Sequence, residues 1–151
     1  MMQKEDSMQY QIAKAFLIEA KIDIDSAEAL FDKNIYSRSV SMSQQVVEKS
    51  LKAILAIVGI YRKQHEVLAI FIKEFEGNLD ANLIDEISTL SKTIESDWVR
   101  SRYPDWEDRS QPIWMPSKQY SKDDAKKALN VALKIHEIIK DILESKFQLK
   151  L

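Results

Sequence analysis

Apolar side chains recur every three or four positions along most of the chain, which is the spacing of one face of an α-helix. No segment alternates apolar and polar residues over the length of a strand. The pattern therefore predicts five helices. Their inward faces carry, in order, Ala13, Phe16, Leu17, Ala20, Ile24, Ala27 and Phe31; Val40, Val47, Leu51, Ile54, Leu55 and Val58; Val67, Leu68, Phe71, Ile72 and Phe75; Leu83, Ile87, Leu90 and Ile94; and Ala125, Leu129, Ala132, Ile135, Ile139 and Ile142.

Residues that commonly end or begin helices separate these segments. Asn34 ends the first, the second runs from about 35 to 58 and stops at Gly59, and Gly77 closes the third. Ser121, followed three residues later by Asp124, is typical of a capped helix start. Because short connections favour antiparallel neighbours, we expect an all-α fold, an up-and-down bundle of about five helices, in a single domain over residues 1–151.

Residues 98–120 do not fit the helical pattern. This stretch contains every tryptophan and every proline of the chain: Trp98, Trp106, Trp114, Pro104, Pro112 and Pro116. Proline at three places excludes a continuous helix, and the aromatic content argues against disorder. We predict a long ordered loop before the last helix, packed on the bundle.

Composition excludes several classes of protein. With 2 glycines, no cysteine and a net charge of −2, the chain has no glycine-rich phosphate loop, disulfide framework or thiolate nucleophile. It also lacks the broad basic field that would hold a DNA duplex. The longest apolar stretch, residues 53–61, is about half of a membrane span, and the first residues are charged. We expect a cytoplasmic protein that does not enter the membrane.

Catalytic and metal chemistry have little support in the residues. His65 and His136 have no second ligand at helical spacing, so we expect no metal site. His65 is expected to begin the third helix, with Glu66 complementing its dipole, and His136 to lie at the surface. The alternating serines at 37, 39, 41 and 43 have no partner histidine and are expected to permit close helix packing. We predict no catalytic residues and no cofactor.

Two groups of residues suggest a functional hypothesis. On the second helix, Gln44, Glu48 and Lys52 form a polar row at a spacing of four, with Glu48 placed favourably for a pair with Lys52. The charge pattern alone favours a solvated face stabilised by salt bridges.

The second group lies in the loop, where Arg100, Arg102, Tyr103 and Trp106 surround Pro104. These side chains could clamp a phosphate and stack a base. The alternative is that the arginines bridge to helix carboxylates while the aromatic rings seal the core. The chemistry of the residues leaves both interpretations open.

In order and spacing, these groups resemble the HEPN family (higher eukaryotes and prokaryotes nucleotide-binding domain). Tyr36 followed by Gln44-Gln45, Glu48-Lys49 and Lys52-Ala53 matches the family's Y…QQxxEKxxKA pattern. His65-Glu66-Val67 lies where the family commonly starts its third helix, and Arg102-Tyr103-Pro104-Asp105 matches an RYPD turn after the fourth. The resemblance covers about residues 10–142.

The resemblance implies a helical bundle, commonly dimeric, similar to the C-terminal domain of kanamycin nucleotidyltransferase. Many stand-alone members act with a minimal nucleotidyltransferase, some as a toxin and its antitoxin. Another branch consists of metal-independent ribonucleases, in which an arginine is followed by four to six residues and then by a histidine. The chain departs from that ribonuclease motif, because Arg62 is only three positions before His65 and the later arginines have no suitably spaced histidine.

The working hypothesis is a non-catalytic or substrate-holding subunit that binds a nucleotide, or the substrate of a minimal nucleotidyltransferase with which it forms a toxin–antitoxin pair. We expect a homodimer, and RNA is a second candidate ligand. Residues expected to bind the nucleotide or the partner are Gln45, Lys49, Lys52, Arg100, Arg102 and Tyr103. Of these, Arg100 and Arg102 are expected to contact phosphate, Tyr103 or a nearby tryptophan to stack on the base, and Gln45 with Lys49 or Lys52 to line the groove. Residues expected on the dimer face are Gln44, Glu48 and His65. The alternatives are a ribonuclease toxin, with His65 completed by a partner's arginine, and a purely structural dimerisation module.

Overall fold

The structure of the protein is a computed structural model that describes residues 7–151. These residues form seven helices. Five match the predicted segments, and two helices of a single turn, α5 and α6, lie inside or at the edge of the predicted loop. The helices are α1 (Met8–Asp32), α2 (Tyr36–Ile57), α3 (Leu68–Phe75), α4 (Ala81–Glu95), α5 (Asp97–Arg100), α6 (Pro116–Gln119) and α7 (Lys122–Ser145). Within the described residues the fold is all-α, as predicted.

The helix ends follow from local chemistry. The Ser7 hydroxyl accepts a hydrogen bond from the backbone N–H of Tyr10 at the start of α1. Asn34, two residues after the end of α1, adopts a left-handed φ of 62°, a conformation that asparagine tolerates better than most residues. Ser121 and Asp124 form a reciprocal capping box at the start of α7, which confirms the predicted cap.

Helix α2 is the centre of the bundle, since it packs against both α1 and α7, which also contact each other. The core side chains Ile54, Phe71 and Leu143 are fully buried, and burying each contributes roughly 1.5–3 kcal/mol. Small buried serines bring α2 close to its neighbours: the Ser39 hydroxyl donates to the Ala27 carbonyl of α1 at 2.8 Å. This agrees with the expected role of the alternating serines.

The segment between α4 and α7 is ordered and held to the bundle, as predicted. A single antiparallel bridge joins Asp105 to Trp114. The Tyr120 hydroxyl donates to the Asp97 carboxylate at 2.6 Å, and Pro116 is buried at the first position of α6. No helix among residues 7–151 combines the length and apolar character needed to cross a bilayer.

His136 corrects one expectation, because its side chain is partly buried on α7 rather than lying at the surface. Its Nε2 is buried and has no hydrogen-bond partner among the described residues. Burial lowers the pKa of His136 below its usual 6.5, a hydrogen bond to the backbone of Leu17 acts in the opposite direction, and Lys140 lowers it further. The charged imidazolium is therefore disfavoured in the folded state.

This burial predicts acid sensitivity. The unfolded chain binds the His136 proton at a higher pH than the folded chain does, so stability falls as pH drops below about 6.5 and levels off below the folded pKa. The contribution of His136 has a slope of at most about 1.4 kcal/mol per pH unit. Urea unfolding across this range should give a shallower dependence for His136→Gln than for the native chain, and identical slopes would contradict the assignment.

Candidate functional site

The polar row on α2 is buried inside the protomer. Gln44 and Glu48 are only 6% and 5% exposed, so the interpretation of this row as a solvated face is wrong. The residues that cover it come from the segment before α3 and from the turn at α5, both distant in sequence. The predicted pair is present: Lys52 Nζ lies 2.8 Å from Glu48 Oε1.

His65 binds the same carboxylate oxygen. Its Nδ1 lies 2.9 Å from Glu48 Oε1, while Glu48 Oε2 is buried with no hydrogen-bond partner among the described residues. Because α3 begins at Leu68, the expectation that His65 starts this helix is wrong. A carboxylate on Nδ1 holds the ring in one orientation and leaves Nε2 as the nitrogen available to another molecule. The side chain is half-exposed.

Trp98 joins His65 to Arg102. The rings of His65 and Trp98 have centroids 4.3 Å apart, and the Arg102 guanidinium carbon lies 4.7 Å from the centroid of the Trp98 ring. Arg102 also donates through Nη2 to Gln44 Oε1 at 3.2 Å. Partial burial lowers the pKa of Arg102, and the nearby Glu48 carboxylate opposes this shift. An arginine remains charged under such a shift.

The residues Gln44, Gln64, His65 and Trp98 line an open groove of about 690 Å³, here called the Trp98 groove. A neighbouring pocket of about 30 Å³ reaches Glu48. The acidic Glu66 and Glu95 also line the Trp98 groove. Two cations, Lys52 and Arg102, lie close to Glu48, so the groove has no uniform positive field.

The structure separates the other predicted binding residues from this groove. Lys49 pairs with Asp23 of α1 at 2.6 Å, and Gln45, one turn earlier on α2, shares its helix face. Arg100 instead packs over Trp114, with 4.1 Å between its guanidinium carbon and the ring centroid. The structure thus brings together Gln44, Glu48, Lys52, His65 and Arg102, and it separates from them Gln45, Lys49, Arg100 and Tyr103.

Trp98 is the residue of the groove that the sequence hypotheses did not specify, beyond an unassigned nearby tryptophan. It precedes Arg102 by four positions, the spacing at which helical side chains meet, and this is the signal that could have identified it. Among residues 7–151, no three histidine, aspartate or glutamate side chains are grouped so that they could hold a metal ion. The groove offers an oriented imidazole and aromatic surface, and the Arg102 guanidinium lies beside it on the Trp98 ring.

The two ion pairs that lysines of α2 form, Lys52–Glu48 and Lys49–Asp23, should differ in their effect on stability. Glu48→Ala leaves Lys52 without its buried counter-charge and should cost about 3 kcal/mol of unfolding free energy. Lys49→Ala removes a more exposed pair and should cost about 1 kcal/mol or less. Urea denaturation measures both, and Lys52→Met combined with Glu48→Ala should recover part of the loss. If both single variants lose the same unfolding free energy, the Glu48–Lys52 pair is no more important for stability than the Lys49–Asp23 pair.

Three comparisons with known proteins bear on this arrangement. The HEPN domain family matches residues 13–142. The protein named "Putative toxin MJ1304" of Methanocaldococcus jannaschii is 36% identical over 151 residues, covering 97% of this chain and 98% of that protein.

Two solved structures share the fold. TT1696 from Thermus thermophilus superimposes with a TM-score of 0.69 at 20% identity, over 85% of this chain and 96% of that one. ST0689, described as an archaeal HEPN homologue, gives a TM-score of 0.66 at 22% identity, over 91% and 98%. The family match spans the helices that build the Trp98 groove. The relative that matches 97% of the chain and the fold shared with the two solved structures are consistent with this match. The chain belongs to the HEPN domain family.

Proposed function

We propose that this chain is a toxin-like HEPN subunit that binds a nucleotide in the Trp98 groove. The contact of both His65 and Arg102 with the Trp98 ring carries the proposal. It places an aromatic surface and a fixed guanidinium beside one open groove. The relative named as a toxin supports the toxin-like role.

Each part of the groove has a chemical use in this proposal. Arg102 uses one donor on Gln44, and the guanidinium has further N–H groups that suit a phosphate. The half-exposed imidazole of His65 offers a face on which a base can stack. The Glu48 carboxylate holds that imidazole in place through its contact with Nδ1. The sequence hypothesis assigned the stacking to Tyr103 or a nearby tryptophan, and the geometry favours His65 and Trp98.

Size and charge restrict the ligand to one nucleotide or a single phosphodiester. A volume of about 690 Å³ falls within the usual range of small-molecule sites. The carboxylates of Glu66 and Glu95 in the lining oppose a long polyanion, which needs many phosphate contacts. The proposal therefore concerns a mononucleotide or one exposed linkage of RNA.

The partnership with a minimal nucleotidyltransferase and the homodimer belong to the same proposal. Their support is the family membership together with the toxin-named relative. Affinity purification of the tagged chain from its source cells, with mass spectrometry, is the test. Recovery of a nucleotidyltransferase in stoichiometric amount supports the pair, and recovery of the chain alone contradicts it.

Loss of Arg102 should remove phosphate recognition while leaving the bundle folded. Arg102→Ala should weaken binding of AMP and of the dinucleotide ApA by about tenfold or more, because a charge-assisted contact is worth roughly 1.5–3 kcal/mol. Isothermal titration calorimetry measures the affinity and circular dichroism the helicity. The exposed Arg109 provides the matched control, since Arg109→Ala should leave both unchanged.

Two results would contradict this assignment. Unfolding of Arg102→Ala would make the arginine a structural bridge. Unchanged affinity in a folded variant would place the nucleotide elsewhere.

A second candidate function is metal-independent RNA cleavage, and one observation favours it. The sequence has no arginine and histidine at the ribonuclease spacing, yet the fold brings Arg102 and His65 onto the same tryptophan. A histidine oriented by a carboxylate is suited to proton transfer, and an adjacent arginine to charge developing on a phosphate. Both groups come from one protomer.

The cleavage candidate makes a separate prediction. Purified protein incubated with tRNA in excess chelator should cleave it, and His65→Ala should reduce the rate by about a hundredfold, the lower range for loss of a general acid or base. His136→Gln, which changes the only other histidine, should retain the rate. If the native chain and His65→Ala give the same background, the groove binds without cleaving.

A further inference from the structure

The loop between α5 and α6 contains a second cavity, of about 740 Å³, that the nucleotide proposal does not use. Here it is called the loop cavity, and Tyr103, Trp106 and Trp114 form its aromatic lining. Tyr103 is 55% and Trp106 is 69% exposed. Ile113, from the same loop, is 61% exposed. Such clustered apolar exposure is typical of an interaction surface.

Hydrogen bonds hold the loop backbone and the Trp114 ring in place. Asp105 and Trp114 exchange two backbone hydrogen bonds, of 3.1 and 2.9 Å. The indole N–H of Trp114 donates to the Arg100 carbonyl at 2.9 Å, and the Arg100 guanidinium packs over the same ring. A surface that is ordered before binding loses less conformational entropy when a partner docks.

The charge of the loop cavity is opposite to what a phosphate needs. Its lining contains the carboxylates of Asp105, Glu107 and Asp108 against the single guanidinium of Arg100, a net charge of −2. The hydroxyl and backbone N–H of Ser110 donate to Asp108 and lower its pKa, so this carboxyl stays ionised. The position of Arg100 and Tyr103 here, away from Arg102, removes them from the phosphate-clamp hypothesis.

We propose that the loop cavity binds a lysine- or arginine-bearing segment of a partner protein, with Trp106 as the central anchor. Ammonium and guanidinium groups are attracted to the faces of tryptophan and tyrosine rings. The three carboxylates complement the same charge, and the exposed apolar side chains accept the aliphatic stems of long basic residues. This surface shares only Val99 with the Trp98 groove, so the inference does not depend on the nucleotide proposal.

The exposed aromatic rings by themselves suit single-stranded RNA as well as a peptide. The carboxylates decide between these ligands, because they attract a cationic chain and repel a polyanion. RNA binding at this surface is therefore an outcome that the experiment must separate.

The probe is a fluorescent peptide of alternating lysine and leucine, compared with one in which glutamate replaces each lysine. Fluorescence anisotropy with the full chain should show binding of the basic peptide and at least about tenfold weaker binding of the acidic one. Trp106→Ala should lower the affinity for the basic peptide by about tenfold, as expected of a central aromatic anchor. Glu107→Lys should also lower the affinity for the basic peptide, and this affinity should then depend less on salt concentration. Glu137→Lys reverses an exposed charge on α7 and should leave the affinity unchanged.

Several results would overturn the proposal. These are equal binding of the two peptides, no binding of the basic peptide, or equal affinity for the native chain and Trp106→Ala. If a labelled oligoadenylate binds the native chain and does not bind Trp106→Ala, the surface is assigned to RNA. A drop from dimer to monomer in Trp106→Ala, measured by light scattering, would assign it to a second copy of the chain.

Discussion

The buried carboxylate of Glu48 is the constraint on which the site depends. It lies on the central helix, 5% exposed, and one of its oxygens receives both Lys52 and His65. Removing a charge from water is costly unless partners surround it. The partners therefore have to be present, and the segment before α3 has to fold back onto α2 to bring His65 there. The contact between Glu48 and His65 thereby holds one lining residue of the Trp98 groove in place.

Arg102 is linked to the same centre through Gln44 and Trp98. It hydrogen-bonds the amide one turn before Glu48 and packs on the ring that His65 also contacts. The turn that follows α5 and the irregular segment before α3 are thus joined across α2 by these polar and aromatic contacts. This arrangement holds a guanidinium and an imidazole on one tryptophan ring. The loop cavity, lined by acids and aromatic rings, presents different chemistry nearby.

The helices could be predicted because their signals are local. The stripe from Ala13 to Ala27, the left-handed residue at Asn34 and the cap at Ser121 each depend on neighbours within a few positions. The site could be predicted only in part. Lys49 follows Glu48 directly, yet it points to α1 and pairs with Asp23. Arg100 and Arg102 are two residues apart, yet Arg100 packs on Trp114 in the loop cavity and Arg102 packs on Trp98 beside the groove, because a single turn rotates their side chains to different sides.

The central claim is that Glu48 orients His65 and that His65 and Trp98 together receive the nucleotide. Nitrogen-15 NMR of the imidazole and indole groups tests this most directly, with AMP as the added ligand. The account predicts that neutral His65 carries its proton on Nδ1, and that AMP shifts the signals of His65 and Trp98 while those of His136 and Trp106 stay in place. A proton on Nε2 of His65, or shifts confined to Trp106 and Trp114, would contradict it.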